Sequence, residues 1–148
     1  MRIAEACTRP VVTAGHATTL AEAARSMREQ HVGCVVVVDG AHGRKPVGLV
    51  TDRDMVVEVI ASDMDPRGVT VGDIMSVSLV TAHQDDDVLA TLKLMRQRSV
   101  RRMPVIDDEA DLVGVVSLDD LLKVCSTALD DAVGATSGAQ SLEAWRRP

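Results

Sequence analysis

Two short runs in this 148-residue chain carry residue types suited to binding chemistry: Thr51-x-x-Asp54 in GLVTDRDM and Ser117-x-x-Asp120 in GVVSLDDL. Each follows an apolar stretch that reads as a strand and opens a stretch that reads as a helix. A hydroxyl and a carboxylate at this spacing admit two readings. As a capping box they satisfy free backbone N–H groups at a helix start. As a binding pair they hydrogen-bond a ribose diol, with the neighbouring helix end favouring phosphate. The spacing alone leaves both open.

The elements that must position these pairs come from an internal repeat, the first thing to seek when one motif occurs twice. Val12-Thr13-Ala14 recurs as Val80-Thr81-Ala82, Met27-Arg28 as Met95-Arg96, and Val37 with Asp39 as Val105 with Asp107, always 68 residues on. Later the offset is 66, so the loop AHGRKP of the first copy is two residues longer than its counterpart. Each copy reads as an extended piece, a helix, two paired strands and a second helix. In the first these are Val11–Thr13, a helical face through Leu20, Ala23, Ala24 and Met27, strands over Val35–Val38 and Val47–Val50, and a helix from Thr51 through Ile60. In the second they are Leu79–Thr81, Asp86–Arg98, Met103–Ile106, Leu112–Val116 and Ser117–Leu129. Val71–Met75 reads as a short helical lead-in to the second copy. A half of roughly 60 residues is marginal alone, so the halves are expected to pack together about a pseudo-twofold axis with equivalent sites in a cleft.

Composition narrows the classes. With 16 Lys+Arg against 22 Asp+Glu the formal charge is −6, and there is one Trp with no Tyr and no Phe. A nucleic-acid reader that stacks bases on aromatic platforms is disfavoured on both counts. No apolar run reaches the roughly 20 residues of a membrane span, and no secretory signal is visible at the N-terminus, which gives an expectation of a cytoplasmic protein. Cys7, Cys34 and Cys125 are far apart and lack a C-x-x-C, which argues against a disulfide framework and a zinc site.

Taken together, the repeated β-α-β-β-α order, GLVTDRDM and GVVSLDDL, VGDIM before the second copy and VRRMPVID ahead of its hairpin resemble a tandem pair of CBS domains. This is the cystathionine-β-synthase-type regulatory module, and the resemblance covers roughly residues 3 to 130. It implies an α+β fold of two repeats, with CBS domain 1 over 3–62, a linker over 63–70, CBS domain 2 over 71–130 and a C-terminal tail over 131–148. It also implies an adenosyl ligand, AMP, ADP, ATP or S-adenosylmethionine, bound in the cleft as a regulatory ligand rather than a required cofactor. Carried over by position, Thr51 with Asp54 and Ser117 with Asp120 would hold ribose. Thr13-Ala14 and Thr81-Ala82 would face the base, and Cys34-Val35 and Met103-Pro104 would form apolar walls. Arg101-Arg102 would meet phosphate, on the Ser117 site or across the dyad. The first copy departs here, with Gly33-Cys34 at those positions and Val36 where the second has Pro104, so the second site is the fuller match.

The remaining polar features read more plainly. Arg96 and Arg98 suit a helix C-terminus, and Asp85-Asp86-Asp87 a helix start. His16, His31, His42 and His83 are scattered singly, and no Ser/His/Asp or metal-ligand spacing is present, so no catalytic or metal site is expected. Cys34 reads as a small buried hydrophobe. The tail after Asp130, small and polar, reads as mobile or used for docking, with Trp145 an anchor on a partner or second subunit. The expectation is a non-enzymatic sensor of adenine nucleotide or S-adenosylmethionine, homodimeric, signalling to a separate regulated protein. A CBS module that binds no ligand and serves only as an interaction platform is the alternative.

Overall fold

The computed structural model describes residues 1–40 and 44–146, with the side chains of 140–144 set aside; His42 lies outside the described residues. In chain order the elements are α1 (Ile3–Ala6), β1 (Thr13–Ala14), α2 (Leu20–Gln30), β2 (Cys34–Val38), β3 (Pro46–Thr51) and α3 (Asp52–Asp54), which widens into a π-helical stretch over Met55–Ile60. There follow α4 (Val71–Ile74), β4 (Ala82–His83), α5 (Val88–Arg98), β5 (Arg102–Ile106), β6 (Leu112–Ser117) and α6 (Leu118–Arg146). The sheets are three-stranded, β1-β2-β3 and β4-β5-β6, each with a parallel first pair and an antiparallel second pair. Ala14 pairs with Val37 and Ala82 with Val105, so the repeat seen in the sequence is kept residue for residue in register.

Local chemistry explains the boundaries. Thr19 caps α2, accepting from the Glu22 N–H at 3.2 Å while the Glu22 carboxylate accepts from the Thr19 N–H at 2.8 Å. Asp87 caps α5 by accepting from Leu89 and Ala90. Both helices stop on a left-handed residue, His31 at φ 55° and Ser99 at φ 54°. The next residues, Val32 and Val100, donate to Met27 and Met95 at 3.0 Å. These matched stops turn the chain into β2 and β5 and so fix where Gly33-Cys34 and Arg101-Arg102 begin their strands.

Each half has its own apolar core, and each core is completed by a segment from elsewhere in the chain. Leu20, Met27, Val35, Val37 and Val50 form the first, joined by Val69 and Val71 from the segment ahead of the second repeat. Met95, Met103, Val105, Val116 and Leu121 form the second, joined by Ile3 from the N-terminus. The lead-in Val71–Ile74 is therefore helical as expected, but it packs on the first half. Backbone bridges lock the exchange: Thr8 with Val115 and Ser76 with Leu49. Across the hairpin loops, Arg44 and Lys45 approach the Asp111 carboxylate at 2.8 and 3.8 Å, and Lys45 also donates to the Glu109 carbonyl.

Two expectations are revised. The helix after Ser117 does not end near Leu129 but runs to Arg146, so the stretch read as a mobile tail is helical over 131–146, with Trp145 81% exposed. Its alanines, Ala132, Ala135 and Ala139 among them, favour helix, which the reading of that stretch as small and polar overlooked. The extended pieces over Val11–Thr13 and Leu79–Thr81 lie slightly later, at Thr13–Ala14 and Ala82–His83. No helix among the described residues is long and apolar enough to cross a membrane.

Candidate ligand cavities between the two repeats

Both Ser/Thr and Asp pairs form complete capping boxes. Thr51 donates to Asp54 Oδ2 through its N–H and its hydroxyl, both at 2.8 Å, and the Asp54 N–H donates back to Thr51 Oγ1 at 3.2 Å. At Ser117 the N–H donates to Asp120 Oδ2 at 2.9 Å, the hydroxyl donates to the same oxygen, and the Asp120 N–H returns at 3.2 Å. One oxygen of each carboxylate is thus spent on its helix start. The other, Oδ1, has no protein partner among the described residues and is left able to accept from a ligand hydroxyl. Strand openings brace the same corners: the Asp52 N–H donates to Gly33 and the Leu118 N–H to Arg101, at 3.1 and 2.8 Å.

Each pair lines a cavity built from both halves. Ser117 and Asp120 share one of about 590 Å³, its open mouth included, with Thr8, Pro10, Val11 and Val12 from the N-terminal segment and Val32, Gly33 and Cys34 from the first half. Thr51 and Asp54 share one of about 830 Å³ with Ser76, Ser99, Val100 and Arg101 from the second. Without the open mouth the space that a water-sized sphere can enter is about 180 Å³ at Ser117 and about 370 Å³ at Thr51, so the Thr51 cavity falls within the range of small-molecule sites, about 300 to 1,000 Å³, and the Ser117 cavity is smaller. The two are related by the repeat, Thr8 matching Ser76, Val32 matching Val100 and Val115 matching Leu49. Arg102 lines both: its guanidinium lies over Gly33, where a Cβ would come within 3.2 Å of Nη2.

The cavities gather Thr51, Asp54, Ser117, Asp120, Cys34, Arg101 and Arg102 from the residues singled out in the sequence. Arg101 lines the Thr51 cavity rather than the Ser117 one, so the basic pair reaches across the pseudo-dyad and the fuller basic set belongs to the first copy's Thr51 and Asp54. Thr13, Ala14, Thr81, Ala82, Val35, Met103 and Pro104 line neither cavity. Ala14, Ala82, Val35 and Met103 are buried in the two cores, and Pro104 is buried in β5. Strand alternation accounts for Val35 and Met103: Cys34 and Arg102 open their strands toward the cleft, and these two, next in line, point the other way. Thr8, Val12, Ser76 and Ser99 were missed by motif reading. Their signal was positional, since they sit just ahead of β1 and β4 or at a helix stop.

Burial raises the Cys34 thiol pKa, Arg102 nearby lowers it, and Asp52 raises it further. The balance keeps Cys34 a thiol, in line with its reading as a small hydrophobe. The acidic group Asp107, Glu109 and Asp111 brings its carboxylate oxygens within 4.8 Å of one another. Its oxygens already serve the turn: Asp107 accepts from the Glu109 and Asp111 N–H groups, and Asp111 faces Arg44. Asp85 pairs with Arg2, Asp86 accepts from the His83 N–H, and Asp87 caps α5, so that triad is structural.

Comparison with known proteins fits this geometry. The CBS domain family model matches residues 3–61 and 71–127. Protein MK0525 of Methanopyrus kandleri is 36% identical over 122 residues, 82% of this chain and 61% of its own length. YhcV of Bacillus subtilis, a CBS domain-containing protein, is 32% identical over 80% of this chain and 81% of its own. The chain spans 61% of MK0525 and 52% of another relative, the mitochondrial CBS domain-containing protein CBSX3 of Arabidopsis thaliana. Among solved structures, the CBS domain protein PAE2072 of Pyrobaculum aerophilum, complexed with AMP, superposes with a TM-score of 0.75 at 27% identity, covering 81% of this chain and 89% of its own. A hexameric CBS-CP12 protein from bloom-forming cyanobacteria gives 0.75 at 30%, covering 82% and 69%. With both repeats matched and the α+β architecture shared, the chain belongs to the CBS domain family, as a tandem pair.

Proposed function

We propose that this CBS pair is a regulatory sensor of an adenine nucleotide or S-adenosylmethionine, bound in the inter-repeat cavities, and that it reports ligand state to a separate protein. The observation that carries the reading is the pair of composite cavities, each presenting a carboxylate oxygen left over from a capping box. The AMP held by the PAE2072 protein, of the same fold, supports an adenosyl ligand. Because each cavity is walled by both repeats, a ligand contacts both at once. It shifts their arrangement to the extent that it binds one arrangement better. The activity is binding rather than catalysis, and a homodimer is part of the proposal. Exposed Val56, Val57, Ile60, Leu122 and Leu129, on the helices that end each repeat, form its apolar face, and sedimentation velocity tests it.

Thermal unfolding with AMP, ADP, ATP and S-adenosylmethionine added singly tests the sensor. A ligand at about 100 times its Kd contributes about 2.7 kcal/mol, a shift of several degrees for a chain of this size. A shift that Asp54→Ala and Asp120→Ala together abolish upholds the reading. The interaction-module alternative is favoured by the completeness of both capping boxes, and it takes over if no compound shifts the midpoint of nucleotide-free protein.

A further inference from the structure

We infer that the two cavities take adenosyl ligands of different charge: the Thr51/Asp54 cavity a nucleoside polyphosphate, and the Ser117/Asp120 cavity an adenosyl group that carries no phosphate. This deepens the sensor reading and rests on it. Three positions related by the repeat differ in charge. Arg53 stands where the second half has Asp119, Arg101 where the first has Gly33, and Arg102 where the first has Cys34. As a result the Thr51 cavity is lined by three guanidinium groups against one carboxylate. The Ser117 cavity has one guanidinium against one carboxylate, with Pro10, Val11, Val12 and Cys34 as its wall.

The chemistry of the two linings differs accordingly. Guanidinium groups bind phosphate oxygens through paired, charge-assisted hydrogen bonds, and Ser76 and Ser99 add hydroxyl groups at the same opening. Three cations within one cleft also raise the local concentration of an anion. In the Ser117 cavity a phosphate would meet a largely apolar wall and a single guanidinium. The one cation there is shared, since Arg102 lines both cavities and an anion in the Thr51 cavity draws on it.

Single-cavity proteins test the assignment by titration calorimetry with two probes, ADP and adenosine. Asp120→Ala leaves the Thr51 cavity, and Asp54→Ala leaves the Ser117 cavity. Asp→Asn at either position keeps a cap acceptor should the alanine variant fold poorly. The Asp120→Ala protein is expected to bind ADP at least about tenfold more tightly than adenosine, by a margin that narrows as salt is raised. Arg53→Gln with Arg101→Gln in the same background is expected to bring the two probes within about threefold. The Asp54→Ala protein is expected to bind adenosine at least as tightly as ADP. An ADP preference residing in Asp54→Ala, or surviving the two glutamines, overturns the assignment. Equal affinities in both single-cavity proteins overturn it and leave the sensor reading standing. A wild-type chain that binds neither probe overturns it too, and the sensor reading falls with it only if AMP, ATP and S-adenosylmethionine also leave the melting midpoint unmoved.

Discussion

The two halves share a backbone plan closely enough that Cys7 matches Met75, Gly114 matches Gly48 and Ser117 matches Thr51, yet the cavities they build are unlike. Backbone-defining positions are kept: helix stops at His31 and Ser99, glycines at Gly48 and Gly114, hydroxyl caps at both helix starts. What changed is a set of side chains at or beside the cleft that support neither core. Arg53, Arg101 and Arg102 against Asp119, Gly33 and Cys34 is a change of charge at nearly no cost to the fold, because half-exposed positions tolerate substitution. Duplication of one module thus leaves a scaffold held by its cores and two sites free to diverge.

The comparison breaks first if the halves are independent. Ile3, fully buried in the second core, lies more than 80 residues from most of its neighbours, and Val71 has the reciprocal role in the first. Ile3→Ala is expected to cost about 2 to 5 kcal/mol and, because the segments are exchanged, to lower one common transition. Urea unfolding followed by far-UV circular dichroism checks it. Two separated steps, with only the second moved, would show that the exchanged segments do not couple the halves.

The glycine pair sharpens the same comparison at a smaller scale. A Cβ on Gly114 would meet Cys7 Sγ at 2.5 Å and Cβ at 3.1 Å, and one on Gly48 would press on the Met75 side chain. Gly114→Ala is expected to cost about 1 to 3 kcal/mol. Gly48→Ala should cost less, because rotation can turn the Met75 sulfur and Cγ aside and leave only its Cβ close, as Cys7 Cβ is to Gly114, whereas the Cys7 thiol is directed at the Ala4 carbonyl. Equal shifts in the urea midpoint would mean that the backbone, rather than the side chain, absorbs both.

Much of this was legible before any coordinates, for a physical reason. Strands and amphipathic helices leave a local period, so the repeat, its 68- and 66-residue offsets and both Ser/Thr and Asp pairs could be read directly. The partner across the cleft leaves no such trace. Nothing in VRRMPVID says that Arg101 faces Thr51 rather than Ser117, nor in VGDIM that Val71 fills the other half's core, because both depend on which segments are exchanged. Val35 and Met103 were placed in the site by their position in the family pattern, where strand alternation sends them to the core instead.

Caps come next in expected size. Ser117→Ala and Thr51→Ala each remove one hydroxyl from a complete box, at about 1 kcal/mol, and the two should be alike if the scaffold is as symmetric as the hydrogen bonds indicate. Midpoints from thermal melts of the two proteins, differing by more than about that amount, would place part of the asymmetry in the scaffold itself.

The smallest effect concerns α2 and α5, matched helices capped by different chemistry. Thr19 with Glu22 forms a box on α2, whereas on α5 Asp87 caps alone and Ala90 holds the place of Glu22. Hydrogen bonds from the Thr19 hydroxyl and N–H hold the Glu22 carboxyl below its ordinary 4.5, outweighing a slight opposing effect of burial, with Arg25 helping. A carboxyl whose pKa is lowered by folding stabilises the folded state above its unfolded value, and that stabilisation is lost as pH falls through the folded one. Wild type should therefore exceed Glu22→Gln in melting temperature at neutral pH, and the margin should shrink as pH drops below about 4.5. Glu22 is exposed, so solvent screens the interaction and the margin is small. A margin that stayed constant down to pH 3 would assign it to packing or helix propensity instead.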